Sequence, residues 1–210
     1  MSKSFDQQLI MHVSRRNNLS LQLETEISNR RSAKMLKLLS GEQQFGLKVA
    51  AEGSASVARE AAVLSELSSF TPAYADSGHY AGCAWLLLNW VAGQSAYRYV
   101  KQSRDSSEPD TKRLELFTAM FEKVAALHAL GYLHGDLQPD HFRMAKNDVH
   151  LLDLALAHRT AERFDYPGAL VHFSAPECQQ QLLGGSIVLY DEQAELYSLA
   201  SVIFFSIRDT

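Results

Sequence analysis

The sequence predicts an α+β protein of two lobes, a small antiparallel sheet with one helix and then a mostly helical half. Three observations carry this. Strand-like runs separated by turn residues fill residues 19–50. One helical run and one compact apolar run follow before residue 92. Beyond a Ser/Asp/Pro-rich stretch the long signals have helical period and end in an apolar helix. Strands gathered ahead of helices mark an α+β order, whereas alternating units would mark a parallel α/β sheet. With 210 residues there is room for one good core, or for a small lobe packed on a larger one.

Residues 1–18 read as a polar N-terminal extension compatible with a flexible address. "LSLQLETEIS" (19–28) alternates apolar and polar residues, as a half-buried strand does. "AKMLKLL" and "QFGLKVA" follow around the turn "SGEQ", so the three runs predict a meander. Val57, Ala61, Leu64 and Leu67 fall at helical spacing, and "CAWLLLNWV" reads as a buried strand. Gln102–Pro109 reads as a loop. The next helix carries a stripe of Leu114, Phe117, Phe121, Val124 and Leu127–His128, with Asp110 to cap its start and Gly131 to end it. "VHLLDLAL" reads as a short apolar strand and "AELYSLASVIFFSI" as an apolar helix. The main domain is thus expected over residues 19–210, with lobes at 19–91 and 92–210.

Bulk properties exclude several classes. A net charge of −4 gives no global field for nucleic acid or an anionic membrane, and the basic cluster Arg15, Arg16, Arg30, Arg31, Lys34 and Lys37 reads as a solvated face. Cys83 and Cys178 are too few for a disulfide framework or a cysteine zinc site, so a reduced, cytoplasmic setting is the default. The longest apolar run, Ala81–Leu88, is too short to span a bilayer, and the N-terminus lacks the apolar core of a secretory signal.

The chemistry is suggested by order along the chain. Phosphoryl transfer needs a cation on the nucleotide phosphates, a carboxylate for magnesium, and a carboxylate to take the acceptor's proton. Lys48 lies in "LKVA" and Glu60 in the following helix, where it can pair with Lys48. Then come "WLLLNWVAGQS", "HGDLQPDHF" with Asp136 as candidate base, and, seventeen residues later, "LLDLA" with Asp153 as candidate metal ligand. "SAPE" (Ser174–Glu177) and "ELYSLASVIFF" close the series. Each piece also has a plain reading. A strand lysine snorkels, a helix glutamate is solvated, an Asp beside Gly serves a turn, and His134 is a packed scaffold residue. Asp153 on an apolar strand, by contrast, is costly to bury without a cation.

In this order the set resembles the protein-kinase-like superfamily, over roughly Leu19 to the C-terminus. The resemblance implies a two-lobed kinase-like fold with a truncated C-lobe, ATP and Mg²⁺ as cofactors, and Leu88, Asn89, Trp90 and Val91 around the adenine. It also implies a long buried helix beneath the catalytic loop. Four features depart from a regulated kinase. "ISNRRSAKM" has no glycine where a glycine-rich loop is expected, leaving backbone amides or Arg30, Arg31 or Lys34 to meet the phosphates. Gly135 replaces the arginine that reads a loop phosphate, which implies constitutive activity. His141 stands where the metal-binding asparagine is expected, and nitrogen suits Mn²⁺ better than Mg²⁺. Asp-Leu-Ala replaces Asp-Phe-Gly, which argues against large in/out switching.

The segment from Asp153 to Glu177 is then expected to hold its shape by packing of Phe164, Tyr166, Leu170 and Phe173. The economy of the chain is similar to that of some bacterial effector kinases, which implies export into a host cell by a non-classical route. Three functions are open: a constitutively active minimal Ser/Thr protein kinase, a small-molecule kinase of the antibiotic, sugar or choline type, and a nucleotide-binding pseudokinase. "SAPE" with "ELYSLASVIF" favours the first, while "HGDLQP" with Gln138 favours the second. A monomer acting on protein, with neither nucleic acid nor membrane as partner, is expected.

Overall fold

The computed structural model describes residues 4–29, 33–105, 110–145, 148–160, 166–168 and 170–208. Helix α1 (Phe5–Asn17) precedes strands β1 (Gln22–Asn29), β2 (Ala33–Ser40) and β3 (Gln43–Ala50), and helix α2 (Ser56–Glu66) precedes the hairpin of β4 (Tyr74–Tyr80) and β5 (Cys83–Asn89). The five strands form one antiparallel sheet in the order β1-β2-β3-β5-β4. The expected meander is its first three strands, but β1 is not the half-buried strand its alternation predicted: Leu23 and Ile27 are about half exposed. β4 had no sequence signal: "YADSGHY" is weakly apolar and only half-buried, and it is a strand because it pairs with β5. The hairpin turns on Ala81 and Gly82, both at positive φ (47° and 83°), the two-residue turn whose twist matches the strands.

The expectation of a polar extension over residues 1–18 is corrected by α1. Ser4 and Gln7 form a reciprocal capping box at its start, and Asn18 ends it at φ 52°. Leu9, Ile10 and Val13, spaced for one helix face, are buried with Leu36, Leu38, Phe45, Leu47, Val49, Trp85 and Leu87. Three apolar residues in a polar segment are easy to overlook, yet each contributes about 1.5–3 kcal/mol when buried. Around them Arg16 pairs with Asp76 at 2.6 Å, and Lys34 pairs with Asp6 at 2.9 Å. Lys37 pairs with Glu24 at 2.9 Å. Much of the expected basic face is therefore matched by carboxylates. Arg30 and Arg31 lie outside the described residues.

Residues up to Trp90 form one compact unit, and Val91 onward forms a second. The second contains β6 (Gln94–Ser95), α3 (Ala96–Asp105), α4 (Asp110–Ala129), β7 (Tyr132–Leu133), β8 (Phe142–Ala145), β9 (Asp148–Leu151), β10 (His158–Arg159), α5 (Pro176–Leu183) and α6 (Glu192–Arg208). α3 runs through Asp105, so the expected loop at Gln102–Pro109 is helical in its first part, and residues 106–109 lie outside the described residues. Gly131, at φ 78°, closes α4 by donating its N–H to His128 O, as expected. The side chain of Asp110, the expected cap, lies outside the described residues.

The expected stripe on α4 holds in part: Phe117, Val124 and Leu127 are buried, His128 is partly buried, and Leu114 and Phe121 are not. The buried face is completed by Leu116 and Met120. Both sets satisfy helical spacing, and only packing chooses between them. On α6, Glu195, Ser198, Leu199, Val202 and Ser206 are buried, while Leu196, Tyr197, Phe204, Phe205 and Ile207 face outward. α6 is thus buried along one face rather than all round.

Candidate functional site

The first unit supplies a paired cation. Side chains alternate along β3, so Lys48 points away from the face carrying Phe45, Leu47 and Val49. There its Nζ meets Glu60 Oε2 at 2.6 Å. The Glu60 side chain is 2% exposed and that of Lys48 17%, so the pair is well shielded from water. A buried carboxylate of this kind fixes the ammonium in one direction. Lys34, an expected phosphate contact, is held by Asp6.

Leu88, Asn89, Trp90 and Val91 stand at the end of β5 and at the unit boundary. Asn89 Nδ2 donates to Pro72 O, and its backbone N–H to Ala73 O. The Trp90 N–H donates to Gln44 O, and the Lys37 ammonium lies over the Trp90 indole. Leu88 is partly buried within the sheet, paired with Gly46 and Tyr74.

The second unit brings the two aspartates around one imidazole. β7 ends at Leu133, and the loop that follows is pinned from below by α6. Glu195, fully buried, accepts at Oε1 from the N–H of His134 (2.6 Å) and of Gly135 (2.8 Å). Its Oε2 lies 2.6 Å from His128 Nε2, and this hydrogen bond raises the His128 pKa above its ordinary value. The Asp136 N–H donates to His134 Nδ1, so that nitrogen carries no proton and Nε2–H donates to Leu152 O at 3.0 Å. Burial lowers the His134 pKa, in keeping with this neutral tautomer. One scaffold histidine thereby ties the Asp136 loop to the residue before Asp153.

His141 completes the tie. Its Nδ1 lies 2.7 Å from Asp136 O, in hydrogen-bond contact, and its Nε2 lies 3.7 Å from Asp153 Oδ2. Gln138 Nε2 donates to Asp136 Oδ1 at 2.7 Å, and His141 Nδ1 lies 4.0 Å from Asp136 Oδ2, so the carboxylate is held in one orientation. The strand expected through Asp153 stops at Leu151, and the Asp153 side chain is 36% exposed, which corrects the expectation of a carboxylate buried on an apolar strand. Asp153 itself sits at φ 62°, a left-handed conformation that Asp tolerates and that recurs at functional sites. Asp140, beside His141, is exposed. Among the described residues no group of three or more His, Cys, Asp or Glu is placed to hold a metal. Asp153 offers the single carboxylate by which Mg²⁺ is commonly held together with phosphates and water, while the His141 nitrogen suits Mn²⁺ better.

The stretch after Asp153 is anchored to this loop. β10 pairs with β7, and the Thr160 N–H donates to Gly131 O. Tyr166 and Phe173 are buried, as expected; Leu170 is 51% exposed, a correction, and Phe164 lies outside the described residues. The Tyr166 O–H donates to Gly135 O at 2.7 Å. Ser174 is buried with its Oγ donating to Leu170 O, and Gln179 Nε2 donates to Ser174 O at 2.7 Å. At Gly135 (φ 78°) an added Cβ would lie 2.6 Å from Leu156 O, so no side chain fits.

Lys48 with Glu60, and Asp136 with His141 and Asp153, are brought together within their own units. Glu195, His128 and the Tyr166 contact were not anticipated. Glu195 did leave a signal: it shares one face of α6 with Ser198, Leu199 and Val202, at i, i+3, i+4 and i+7, where an acid needs buried partners.

No protein-family model matches the chain. It is 27% identical over 131 residues to the Oryza sativa subsp. japonica protein named "Putative cyclin-dependent kinase F-2", covering 60% of this chain and 38% of that one. It is also 27% identical over 143 residues to serine/threonine-protein kinase PknF of Mycobacterium tuberculosis and Mycobacterium bovis, covering 61% of this chain and 28% of theirs. The chain thus spans well under half the length of these relatives. The similarities are weak and partial, and all of these relatives are named as kinases.

Proposed function

We propose that the chain is an ATP-dependent phosphotransferase, and within that class a constitutively active minimal Ser/Thr protein kinase. The observation that carries this is the convergence of Asp136 and Asp153 on His141, with the Asp136 carboxylate oriented by Gln138. The distant kinase similarity and the Lys48–Glu60 pair support it.

In this reading Lys48, steadied by Glu60, orients the nucleotide phosphates, and Leu88, Asn89, Trp90 and Val91 surround the adenine. Asp136 Oδ2 accepts the proton of the acceptor hydroxyl as its oxygen bonds to the γ-phosphorus and the bond to the β-phosphate oxygen breaks. Asp153 and His141 hold a divalent ion, Mg²⁺ or Mn²⁺, which when bound neutralises charge on the phosphates. Constitutive activity is supported by Gly135, where a phosphate-reading side chain has no room. The same proposal has a monomer acting on a protein acceptor in the cytoplasm, or in a host cell after non-classical export.

A second reading, transfer to a small molecule, is favoured by the same Gly135 and by Gln138 at a position where protein kinases carry lysine. Transfer of radiolabel from ATP tests both. Label on protein, lost in Asp136→Ala, supports the leading reading, and label on a soluble metabolite supports the second. Tight nucleotide binding with no label at all would make the chain a pseudokinase.

A further inference from the structure

Gly135 lies one residue before the candidate base, and both its backbone polar groups are taken. Its N–H donates to Glu195 Oε1 and its carbonyl accepts the Tyr166 O–H at 2.7 Å. Gly135 is buried, so a carbonyl left unpaired there would cost free energy. The Tyr166 ring is 3% exposed and stacks on Tyr190, with centroids 4.6 Å apart and planes at 23°. It packs in a cluster with Ala175, Cys178, Val188 and Ala194, so its position is set by residues on both sides of α5. Burial pushes the phenol's pKa up, which keeps it a donor.

We propose that Tyr166 is a positioning residue, whose hydrogen bond to Gly135 latches the segment after Asp153 onto the loop carrying Asp136. Its catalytic consequence rests on the phosphotransferase reading; its geometry does not. The latch occupies the neighbourhood from which a phosphate-reading side chain is sterically excluded, since a Cβ at 135 would strike Leu156 O. A neutral phenol on a neutral carbonyl needs no modification to form, so the latch closes on folding. It also lacks the salt sensitivity of a phosphate–guanidinium pair, which screening weakens.

Tyr166→Phe tests this, because it keeps the ring and the stack and removes one oxygen. The expected result is a fall in kcat of about five- to tenfold, the scale of one lost hydrogen bond. KM for ATP should stay within about twofold, the mark of an interaction that acts on the chemical step. The loss should be the same at low and high salt. Amide hydrogen exchange at Gly135 and Asp136 should quicken in the variant. Exchange unchanged from wild type overturns the latch, and faster exchange with unchanged kcat overturns its positioning role. If the wild type transfers no label from ATP, the phosphotransferase reading fails, while the exchange comparison still decides whether the latch exists.

Discussion

Asp153 holds a left-handed backbone conformation, φ 62°, with its carboxylate 3.7 Å from His141 Nε2. Asp153→Ala or Asp153→Asn should lower turnover at least about a hundredfold, the scale for removing one electrostatic stabiliser. Near-normal label transfer by either variant would remove Asp153 from the metal assignment. His141 offers nitrogen, which favours Mn²⁺ over Mg²⁺. Activity should be higher in Mn²⁺, and His141→Asn should narrow the preference; identical metal profiles would leave His141 as the strut between Asp136 and Asp153. A third residue-scale prediction concerns acid and base. The His128 pKa is raised above its ordinary 6.5, first by the hydrogen bond to Glu195. The stabilisation is therefore complete below pH 6.5 and fades as pH rises through the raised value. His128→Gln should cost on the order of 1 kcal/mol near pH 5.5 and less near pH 8.5, read by thermal denaturation. His134, lowered by burial, works the other way: its contribution is present above pH 6.5 and fades on acidification.

At the scale of elements, α1 is a working layer of the first unit rather than an appendage. Leu9, 1% exposed, touches the sheet face opposite Lys48, so Leu9→Ala should cost about 2–5 kcal/mol. A chemical-denaturation midpoint within error of wild type would return the segment to the status of an extension. β1–β3 and α2 were legible because alternation and helical spacing leave plain marks in "LSLQLETEIS" and "AREAAVLSEL". α1 was not, because its five apolar residues stand among eight polar or charged ones and give little contrast, and β4 was not, because its pairing with β5 is a tertiary fact. On α4 the signal was strong and placed Phe117, Val124 and Leu127 in the core, but Leu114 and Phe121 extend the apolar pattern onto an exposed face.

Over the whole molecule, the pairing of Lys48 with Glu60 was readable because the chain resembles a superfamily in which such residues follow one another in that order. What stood beneath the Asp136 loop was not readable: Glu195 lies about sixty residues beyond the loop it pins, and only folding joins them. No described helix is long and apolar enough to cross a membrane. The anchoring of the segment after Asp153 by β10, Tyr166 and Ser174 predicts that enzyme made without an upstream kinase is active at once. Phosphatase treatment should leave the rate unchanged, and Thr160→Ala and Ser174→Ala should each keep most activity. Ser174→Ala should nevertheless melt earlier, because its buried hydroxyl bonds Leu170 O and contributes about 1 kcal/mol. A tenfold loss of rate on dephosphorylation would mean that another cation reads the segment.

Gly135 has a bearing on how such a chain can change. Its Cβ position is filled by the carbonyl of Leu156, an atom of the main chain that no substitution at 156 removes. A single codon change to arginine at 135 therefore buys no phosphate reader; it forces apart two backbones and unseats Asp136. Gaining that form of control would take a rerouted turn at Leu154–Leu156 first, then the new cation, with the intermediate step bringing no benefit of its own.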